Sequence, residues 1–441
     1  MDFFYKVLFL AREITMNKKY VDTSFSILQW FVFLLANAIA LPIIIGGIFH
    51  LSIDDISALM QRTFLVVGVS SFLQAWLGHR YPIADGPAGS WVSIFVILGQ
   101  VAIHQGQSAK DVLQLLEGGL IIAGLLLFVL GITGLVHRIL RLFTPLVTGT
   151  FLLILALQLS GVLLKGMMGL QGTVTHPNYA LATISLLVFA LITFLSIKGK
   201  GWMKSYAVLL GISTGWLLYA LFGKSSHLPS HTPFVKLPKI FAWGMPKLDI
   251  GITLTVTLFT FLLVANTIAA ISAVKQVAPL SNENERQTLN RGIWVGGISH
   301  VFTSLFSTIG VVPLPASAGF IQLTEQKKVK PFLIANLILA GISFIPSFVS
   351  FISLLPGPIA NAALLATFVQ MIGISFQSIL REELNQRRFT IVGISLLISL
   401  GIMFLPESAF SGIPSTFKYV LSNGLLVGTM IVILLEQFWK E

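Results

Sequence analysis

Long apolar runs separated by short polar connections dominate the chain. Two stretches break the pattern: 292–324 is too long for one membrane crossing and too short for two, and Gly and Pro interrupt 86–103. We interpret the first as a full span followed by a half span and the second as a half span. Eleven further runs approach the roughly 20 residues that cross a bilayer core; they cover 25–47, 56–78, 117–137, 143–165, 179–197, 205–222, 251–275, 330–350, 352–377, 388–405 and 414–437. The pattern predicts an all-α polytopic membrane protein with fourteen transmembrane segments.

Two short sequence patterns occur twice. Phe33–Ala40 recurs with one inserted residue as Phe261–Ala269, and Gly86–Trp91 is echoed by Pro315–Phe320. The asparagines of the first pair lie 229 residues apart and the prolines of the second pair 228. Because both echoes keep the same order and phase, we infer two repeats of seven spans. An odd number of spans in each repeat makes the repeats inverted, and a Gly/Pro-interrupted span in each half is typical of a transporter binding site.

Composition and charge agree with this topology. Charged residues make up 10% of the 441 residues and hydrophobic ones 55%, whereas soluble domains carry about 25% charge. With the N-terminus inside, twenty of the 28 Lys and Arg residues fall on the cytoplasmic side, as the positive-inside rule requires. We therefore expect a multi-pass protein of the cell membrane with both termini in the cytoplasm. The net charge of +11 is scattered over many short loops, so nucleic acid is not an expected partner.

The two interrupted spans predict a binding site. Pro87 and Pro315 fit the first turn of a helix and not its middle, so each is expected to begin a half helix near the bilayer midplane. Free N–H groups at such a helix start hold carbonyl oxygens or anions. Small residues would let a flat ligand approach this backbone, although close helix packing would also use them; they are Ala88, Gly89, Ala316, Ala318 and Gly319.

Polar side chains inside the spans are few. Asn37 and Asn266 occupy matching positions in spans 1 and 8, where they would either bind a polar planar ligand or join helices by hydrogen bonds. Trp91 would stack on such a ligand, or else fill the core. Asp85 is a candidate proton or sodium coupling group, with helix capping as the alternative. His300 is a second coupling candidate, or a neutral structural histidine.

No enzyme centre, metal site or cofactor is expected. The chain has no cysteine, which excludes disulfides, thiol nucleophiles and Cys-ligated metals. His227 and His231 stand in a Pro-interrupted loop without the glutamate of a zinc-protease helix.

At this point the chain resembles the nucleobase–ascorbate transporter family, which contains the uracil and xanthine permeases. The resemblance covers the whole chain in length and hydropathy, and it is sharpest at Gln29 to Pro42, Gly86 to Ser93 and Leu314 to Thr324. It implies a core domain of spans 1–4 and 8–11, a gate domain of spans 5–7 and 12–14, and usually a homodimer. The expected parts are a cytoplasmic N-terminal segment 1–24, core 25–142, gate 143–222, an extracellular connection 223–249, core 250–350 and gate 351–441.

The resemblance also implies a ligand site. Three positions depart from the family: Trp30 stands where members usually have histidine, and Asn266 and Ala316 stand where uracil-permease-like members usually have glutamates that bind the base and link transport to a proton. An amide hydrogen-bonds a base but does not take up that proton. Carried over by position, the substrate-binding residues are Asn37, Gly89, Ser90, Trp91, Asn266, Ala270, Ala316, Ser317 and Ala318.

The leading hypothesis is a secondary transporter that moves a nucleobase, either a purine such as xanthine, guanine or hypoxanthine, or uracil. It would be driven by a cation gradient, by default protons, through alternating access. The first alternative is an anion carrier of the same architecture, as in sulfate-permease-like proteins. The second is a membrane binding protein that does not transport. The expected partners are the nucleobase, membrane lipids and a second copy of the chain.

Overall fold

The computed structural model describes residues 2–92, 94–95, 108–136, 138, 141–170, 176–222, 234–279, 284–410 and 412–439. Two three-residue strands, β1 (Asp85–Pro87) and β2 (Val311–Pro313), lie among the helices. The labelled α-helices in this part of the chain are α1 (Asp2–Ile48), α2 (Ile53–Trp76), α3 (Ala109–Thr133), α4 (Pro145–Met167), α5 (Tyr179–Lys198), α6 (Trp202–Ser205), α7 (Ala207–Phe222), α8 (Ile250–Val277), α9 (Glu285–Leu305), α10 (Ala316–Thr324), α11 (Val329–Ile342), α12 (Pro346–Ser353), α13 (Gly357–Ile379), α14 (Gln386–Phe404), α15 (Ser415–Leu421) and α16 (Gly424–Phe438).

These elements group into the fourteen predicted crossings. Within the described ranges, eight helices are long and apolar enough to cross a membrane: α1, α2, α3, α4, α5, α8, α13 and α14. α11 and α12 form one further crossing, bent by 90°. Pro346 begins α12, where its missing N–H and fixed φ do not allow α11 to continue. The other crossings are α7, α9, the pair α15 and α16, and the two segments that start at β1 and β2.

α1 runs without a break from Asp2 to Ile48, and the part of it that is apolar enough to cross a membrane is Asp22–Ile48. One local expectation needs correction. Pro87 does not begin a helix: it ends β1, and the half helix starts at Gly89. For the second break the expectation holds, since Pro315 is the N-cap of α10. The later part of the predicted half span 86–103 lies outside the described residues.

The two strands pair with each other across the middle of the molecule. They are antiparallel, with Asp85 opposite Pro313 and Pro87 opposite Val311. Hydrogen bonds from Leu314 N to the carbonyl of Ala84 (2.8 Å) and from Ala88 N to the carbonyl of Gly310 (2.9 Å) flank these pairs. Hydrogen-bonded pairs alternate with non-bonded ones in an antiparallel ladder. The pairs that contain Pro87 and Pro313 are therefore non-bonded, and neither position needs a backbone N–H. Proline is therefore tolerated in both strands.

The strand register gives independent support for the inverted repeats. Asp85 and Pro313 are 228 residues apart, which is the repeat offset of the prolines, and they are also register partners. When a two-fold axis relates two paired antiparallel segments, equivalent residues are register partners only at the point where the axis crosses the pair. The axis of the inverted repeats therefore passes between Asp85 and Pro313. The chain has the two-repeat core and gate fold that the sequence predicts.

Glycines let helices within each bundle pack closely. In the predicted core domain, a Cβ at Gly297 of α9 would lie 2.5 Å from the carbonyl oxygen of Gly124 in α3. In the predicted gate domain, a Cβ at Gly149 of α4 would lie 2.6 Å from the carbonyl oxygen of Ser375 in α13. Small residues at helix interfaces are the usual means of tight packing in a membrane, where no hydrophobic effect separates protein from lipid.

The described part of the connection between the repeats, residues 234–249, lies against the ends of core helices. Gln61 Nε2 donates to the carbonyl of Lys236 at 2.7 Å, and Phe241 N donates to the carbonyl of Leu305 at 2.9 Å. Lys247 Nζ contacts Asp111 at 2.6 Å. This segment therefore joins α2, α3 and α9 in addition to linking the two halves of the chain.

Candidate functional site

The strand pair is the centre of the candidate site, and two helices hold its outer edges. On the β2 side, Asn266 Nδ2 of α8 donates to the carbonyl oxygen of Pro313 at 3.1 Å. On the β1 side, the Ser71 hydroxyl of α2 accepts from Asp85 N (2.8 Å) and donates to the carbonyl of Asp85 (3.2 Å). The predicted residue Asn266 is half-buried and lies beside the second interrupted span.

Both half helices begin next to this strand pair. The first starts at Gly89, and Gly89 and Ser90 are half-buried. The second is α10, in which Ala316 is exposed and Ala318 half-buried. Ser317 is fully buried, and its hydroxyl accepts from Ala84 N at 3.1 Å. Ser317 thus connects the start of α10 to the residue before β1, the strand that leads into the first half helix. Its hydroxyl therefore has a structural role.

Asn37 does not mirror Asn266 in its contacts. Asn37 Nδ2 donates to the carbonyl of Phe33, one turn back in α1, at 2.8 Å. It is half-buried, and α1 packs against β1. Ala270 lies one turn beyond Asn266 on α8 and is fully buried. Among the residues carried over from the resemblance, Asn266 therefore differs from Asn37 and Ala270: its side chain, on α8, forms a hydrogen bond to Pro313 in the second interrupted span.

Trp91 is packed inside the core domain. Its side chain is fully buried and its ring lies 4.9 Å from that of Phe259 in a T-shaped contact. The indole Nε1–H donates to His300 Nε2 at 3.0 Å, while His300 Nδ1 is 2.8 Å from the carbonyl oxygen of Gly296. Both ring nitrogens of His300 are therefore engaged. This geometry places Trp91 and His300 as supports of the first half helix, the alternative considered for each from sequence.

An aromatic cluster supports the second half helix in the same way. Phe320 of α10 lies 4.5 Å from both Trp30 and Phe33 of α1, measured between ring centroids. Trp30 also contacts Phe332 of α11 at 4.7 Å and is fully buried. Trp30, which departs from the family pattern, therefore fastens α10 to α1 and α11 by aromatic packing.

Asp85 is the ionisable residue closest to the symmetry axis. It is 1% exposed, and neither carboxylate oxygen has a hydrogen-bond partner among the described residues. Its backbone, by contrast, is bonded to Ser71. The side chain does not cap the half helix, which begins four residues later. An unpaired carboxylate buried in a membrane is costly, and binding of a proton or another cation removes that cost.

Phe368 lies beside the candidate site, and sequence reasoning missed it. It lies on α13, which belongs to the predicted gate domain, and is 3% exposed. A Cβ built at Gly89 would lie 3.5 Å from two atoms of its ring edge, so the gate meets the core at the start of the first half helix. With 34 phenylalanines in the chain, no local pattern distinguishes this one.

The chemistry available at the site is hydrogen bonding and packing. The described residues contain no group of three or more His, Asp or Glu side chains that could hold a metal ion. They provide instead an amide, two adjacent half-helix starts and aromatic rings. Such a set suits a neutral, planar ligand rich in N–H and C=O groups.

Comparison with known proteins gives concordant matches. The sequence model Xan_ur_permease, described as a permease family, matches residues 22–408. "Putative purine permease YwdJ" of Bacillus subtilis (strain 168) is 32% identical over 420 residues, covering 94% of this chain and 96% of that protein. "Uric acid permease PucJ" of the same organism is 25% identical over 428 residues, covering 94% and 91%. The transmembrane domain of the cyanobacterial bicarbonate transporter BicA superimposes with a TM-score of 0.62 at 13% identity, covering 92% of this chain and 96% of that domain.

Proposed function

This chain belongs to the permease family that Xan_ur_permease represents, and we propose that it carries a nucleobase across the cytoplasmic membrane. The preferred substrate is an oxopurine such as xanthine, guanine or hypoxanthine, because two similar proteins are named for purine and uric acid transport. Uracil is the second candidate. The protein acts as a transporter and not as an enzyme, with both termini in the cytoplasm.

One observation carries the proposal for the site. The Asn266 amide is fixed at the edge of the strand pair by its bond to the Pro313 carbonyl, which leaves its own carbonyl oxygen to accept an N–H of a base. The starts of the two half helices flank the same strands. The N–H groups of Ser317 and Ala318 already bond to the carbonyls of Leu314 and Pro315, so the proposed donors to the exocyclic carbonyls are those of Gly89 and Ala316. The substrate would thus meet Asn266, Gly89 and Ser90 on the core side, together with the exposed start of α10.

Transport proceeds by movement of the core domain against the gate domain. The Phe368 ring lies close to Gly89, since an added Cβ there would meet it at 3.5 Å, and this region belongs to the surface that opens and closes in the movement. Because Phe368 presents a ring edge, it forms the gate-side wall for a planar ligand. Asn37, Trp91, Ala270, Ser317 and Ala318 shape the core side without a demonstrated role in binding.

Asp85 is the coupling group in this proposal. The family glutamates are replaced here by Asn266 and Ala316, so neither of those positions takes up a proton. Asp85 faces Pro313 in the strand register, and the carbonyl of Pro313 holds Asn266. Loading of Asp85 with a proton would therefore act on the strand pair that also positions the ligand-binding amide. His300 is the weaker candidate because both of its nitrogens are engaged.

An anion carrier has less support. The likeness to a bicarbonate transporter is at 13% identity and concerns the fold alone. A homodimer is expected from the family resemblance.

The test is thermal stabilisation of the purified protein by xanthine, guanine, hypoxanthine, uric acid, uracil, sulfate and bicarbonate. A ligand at 100 times its dissociation constant adds about 2.7 kcal/mol of stability. One base should stabilise the wild type, and Asn266→Ala should abolish that shift. Asn178→Ala is the matched control, since it removes the N-cap of α5 in the gate domain, lowers stability by about 1 kcal/mol and should leave the ligand shift intact. Stabilisation by oxyanions alone would replace the proposal with the anion carrier.

A further inference from the structure

A groove of about 190 Å³ opens where the core domain meets the gate domain. One wall is α8 of the core, another is α16 of the gate, and the link between α3 and α4 closes one end. Its lining residues are Leu142, Phe143, Leu258, Phe261, Leu262, Leu426, Thr429, Met430 and Ile433. The candidate substrate site is elsewhere, since none of its residues lines this groove.

The lining of the groove is apolar, and its one hydroxyl group is already hydrogen-bonded. Eight of the nine residues are hydrophobic, and the hydroxyl of Thr429 donates to the carbonyl of Leu425, one turn back in α16, at 2.6 Å. Water or a polar solute would find no free partner on these walls. Met430 and Leu142 are exposed at the margin, so the groove is open to the surroundings of the helices. In a membrane, those surroundings are acyl chains.

The cytoplasmic end of the groove carries positive charge. Arg141 directly precedes the lining residue Leu142 and is exposed. Its backbone carbonyl accepts from Gln437 Nε2 at 3.2 Å, which fixes it against the end of α16. Arg138 is also exposed nearby in the sequence. Neither arginine takes part in a salt bridge among the described residues, and both guanidinium groups remain available to an anion.

Two other arginines on the same face are already neutralised. Arg387 of α14 pairs with Glu436 of α16 at 3.1 Å, while Arg388 pairs with Glu382 and lies 3.8 Å from Glu436. Among the described basic residues that bond to the end of α16, Arg141 is therefore the one whose guanidinium has no acidic partner. An apolar groove that ends at an unpaired arginine on the cytoplasmic face matches the two parts of an anionic phospholipid, a chain and a phosphate.

We propose that this groove binds one acyl chain of an anionic phospholipid from the inner leaflet, with the lipid phosphate held by Arg141. Because its walls belong to α8 and α16, the lipid would bridge the two domains that move against each other in transport. Its effect on transport rests on the proposed function, whereas binding itself does not.

The binding test uses the full-length protein in detergent with added dioleoylphosphatidylglycerol or dioleoylphosphatidylcholine, read by native mass spectrometry and thermal stabilisation. The anionic lipid should bind the wild type more tightly. Arg141→Gln should weaken binding of phosphatidylglycerol about fivefold, the usual effect of one cation at a membrane surface, and leave phosphatidylcholine unchanged. Lys198→Gln is the matched control, because it removes an exposed basic residue from the end of α5.

A second variant tests the chain-binding part. Met430→Trp should fill the groove and remove bound lipid of both kinds, and Leu142→Trp should do the same if the first variant fails to fold. Leu397→Trp is the control on α14, where the side chain is 77% exposed. Equal binding of the two lipids to the wild type, or unchanged phosphatidylglycerol binding after the groove is filled, would overturn the proposal. So would efficient cross-linking of two copies through Leu142→Cys, which would mean that a second protomer covers the groove.

Reconstitution separates this inference from the proposed function. Base uptake into vesicles should be faster with phosphatidylglycerol than with phosphatidylcholine, and Arg141→Gln should remove the difference. If no base is taken up in either lipid, the proposed function fails while the result of the binding test stands on its own.

Discussion

Replacing Gly310 by alanine should destabilise the protein through Trp91. Gly310 immediately precedes β2, and its carbonyl accepts from Ala88 N. A Cβ at this position would lie 2.3 Å from Cδ1 and Nε1 of the indole and 2.7 Å from Cε2. These separations are shorter than any tolerated contact. The ring cannot swing aside easily, because Trp91 is fully buried and packs against Phe259 and Phe95.

The expected loss follows from two contributions. Forcing an extra methyl group into a packed core costs about 1–3 kcal/mol. Displacement of the indole also breaks its bond to His300 Nε2, and leaving buried polar groups unpaired costs about 1–3 kcal/mol. We therefore expect Gly310→Ala to be less stable than the wild type by about 2–6 kcal/mol.

The assay is the midpoint of thermal denaturation of purified protein at a fixed heating rate. Gly319→Ala is the matched control, since a Cβ there meets no atom within 4 Å and alanine in a helix is favoured over glycine by about 0.5–1 kcal/mol. Trp91→Phe should partly rescue Gly310→Ala, giving a positive coupling in a double-mutant cycle. If Gly310→Ala and Gly319→Ala have the same midpoint of thermal denaturation, then Trp91 is not held rigidly and the account of the first half helix is wrong.

Three further predictions test the site and the topology. Phe368→Leu should weaken base binding about 2- to 10-fold, since an aromatic contact adds about 0.5–1.5 kcal/mol; unchanged affinity in a titration would show that the ring is not a wall of the site. Asp85→Asn should abolish accumulation driven by a pH gradient but keep exchange of labelled for unlabelled base in vesicles, and loss of both together would argue against a coupling role. In this cysteine-free chain, Lys236→Cys should react with an impermeant maleimide from outside intact cells and Lys328→Cys should not, and the reverse pattern would invert the topology.

The sequence was sufficient for the spans, the repeats and the positions of the two breaks, because hydropathy and helix-breaking residues act locally. It did not reveal the strands. Asp85–Pro87 and Val311–Pro313 are too short for an alternating pattern, and Asp, Gly and Pro are depleted in strands. Each becomes a strand only because the repeat symmetry brings the other segment alongside it. The sequence did not reveal Phe368 for a similar reason, since its proposed role depends on the packing of α13 near Gly89.

Packing also accounts for the two tryptophans near the half helices. Trp30 replaces the histidine usual in the family, and it proved to be the residue that holds α10 through Phe320. Trp91 performs the equivalent task for the other half helix. Large aromatic residues at both places fasten the half helices to neighbouring spans, and this leaves the small residues at their starts for a ligand.

The symmetry axis explains how the two halves came to differ. Ser71 and Ser299 are 228 residues apart, as are Asp85 and Pro313. The Asp85 N–H donates to Ser71, but Pro313 has no N–H, and the buried hydroxyl of Ser299 has no partner among the described residues. The Pro313 carbonyl instead accepts from Asn266. Loss of one N–H thus separates the roles: the first repeat holds the ionisable group and the second presents the amide. Because both contact one register pair, we expect a change in the charge of Asp85 to alter the position of Asn266, the proposed ligand-binding residue.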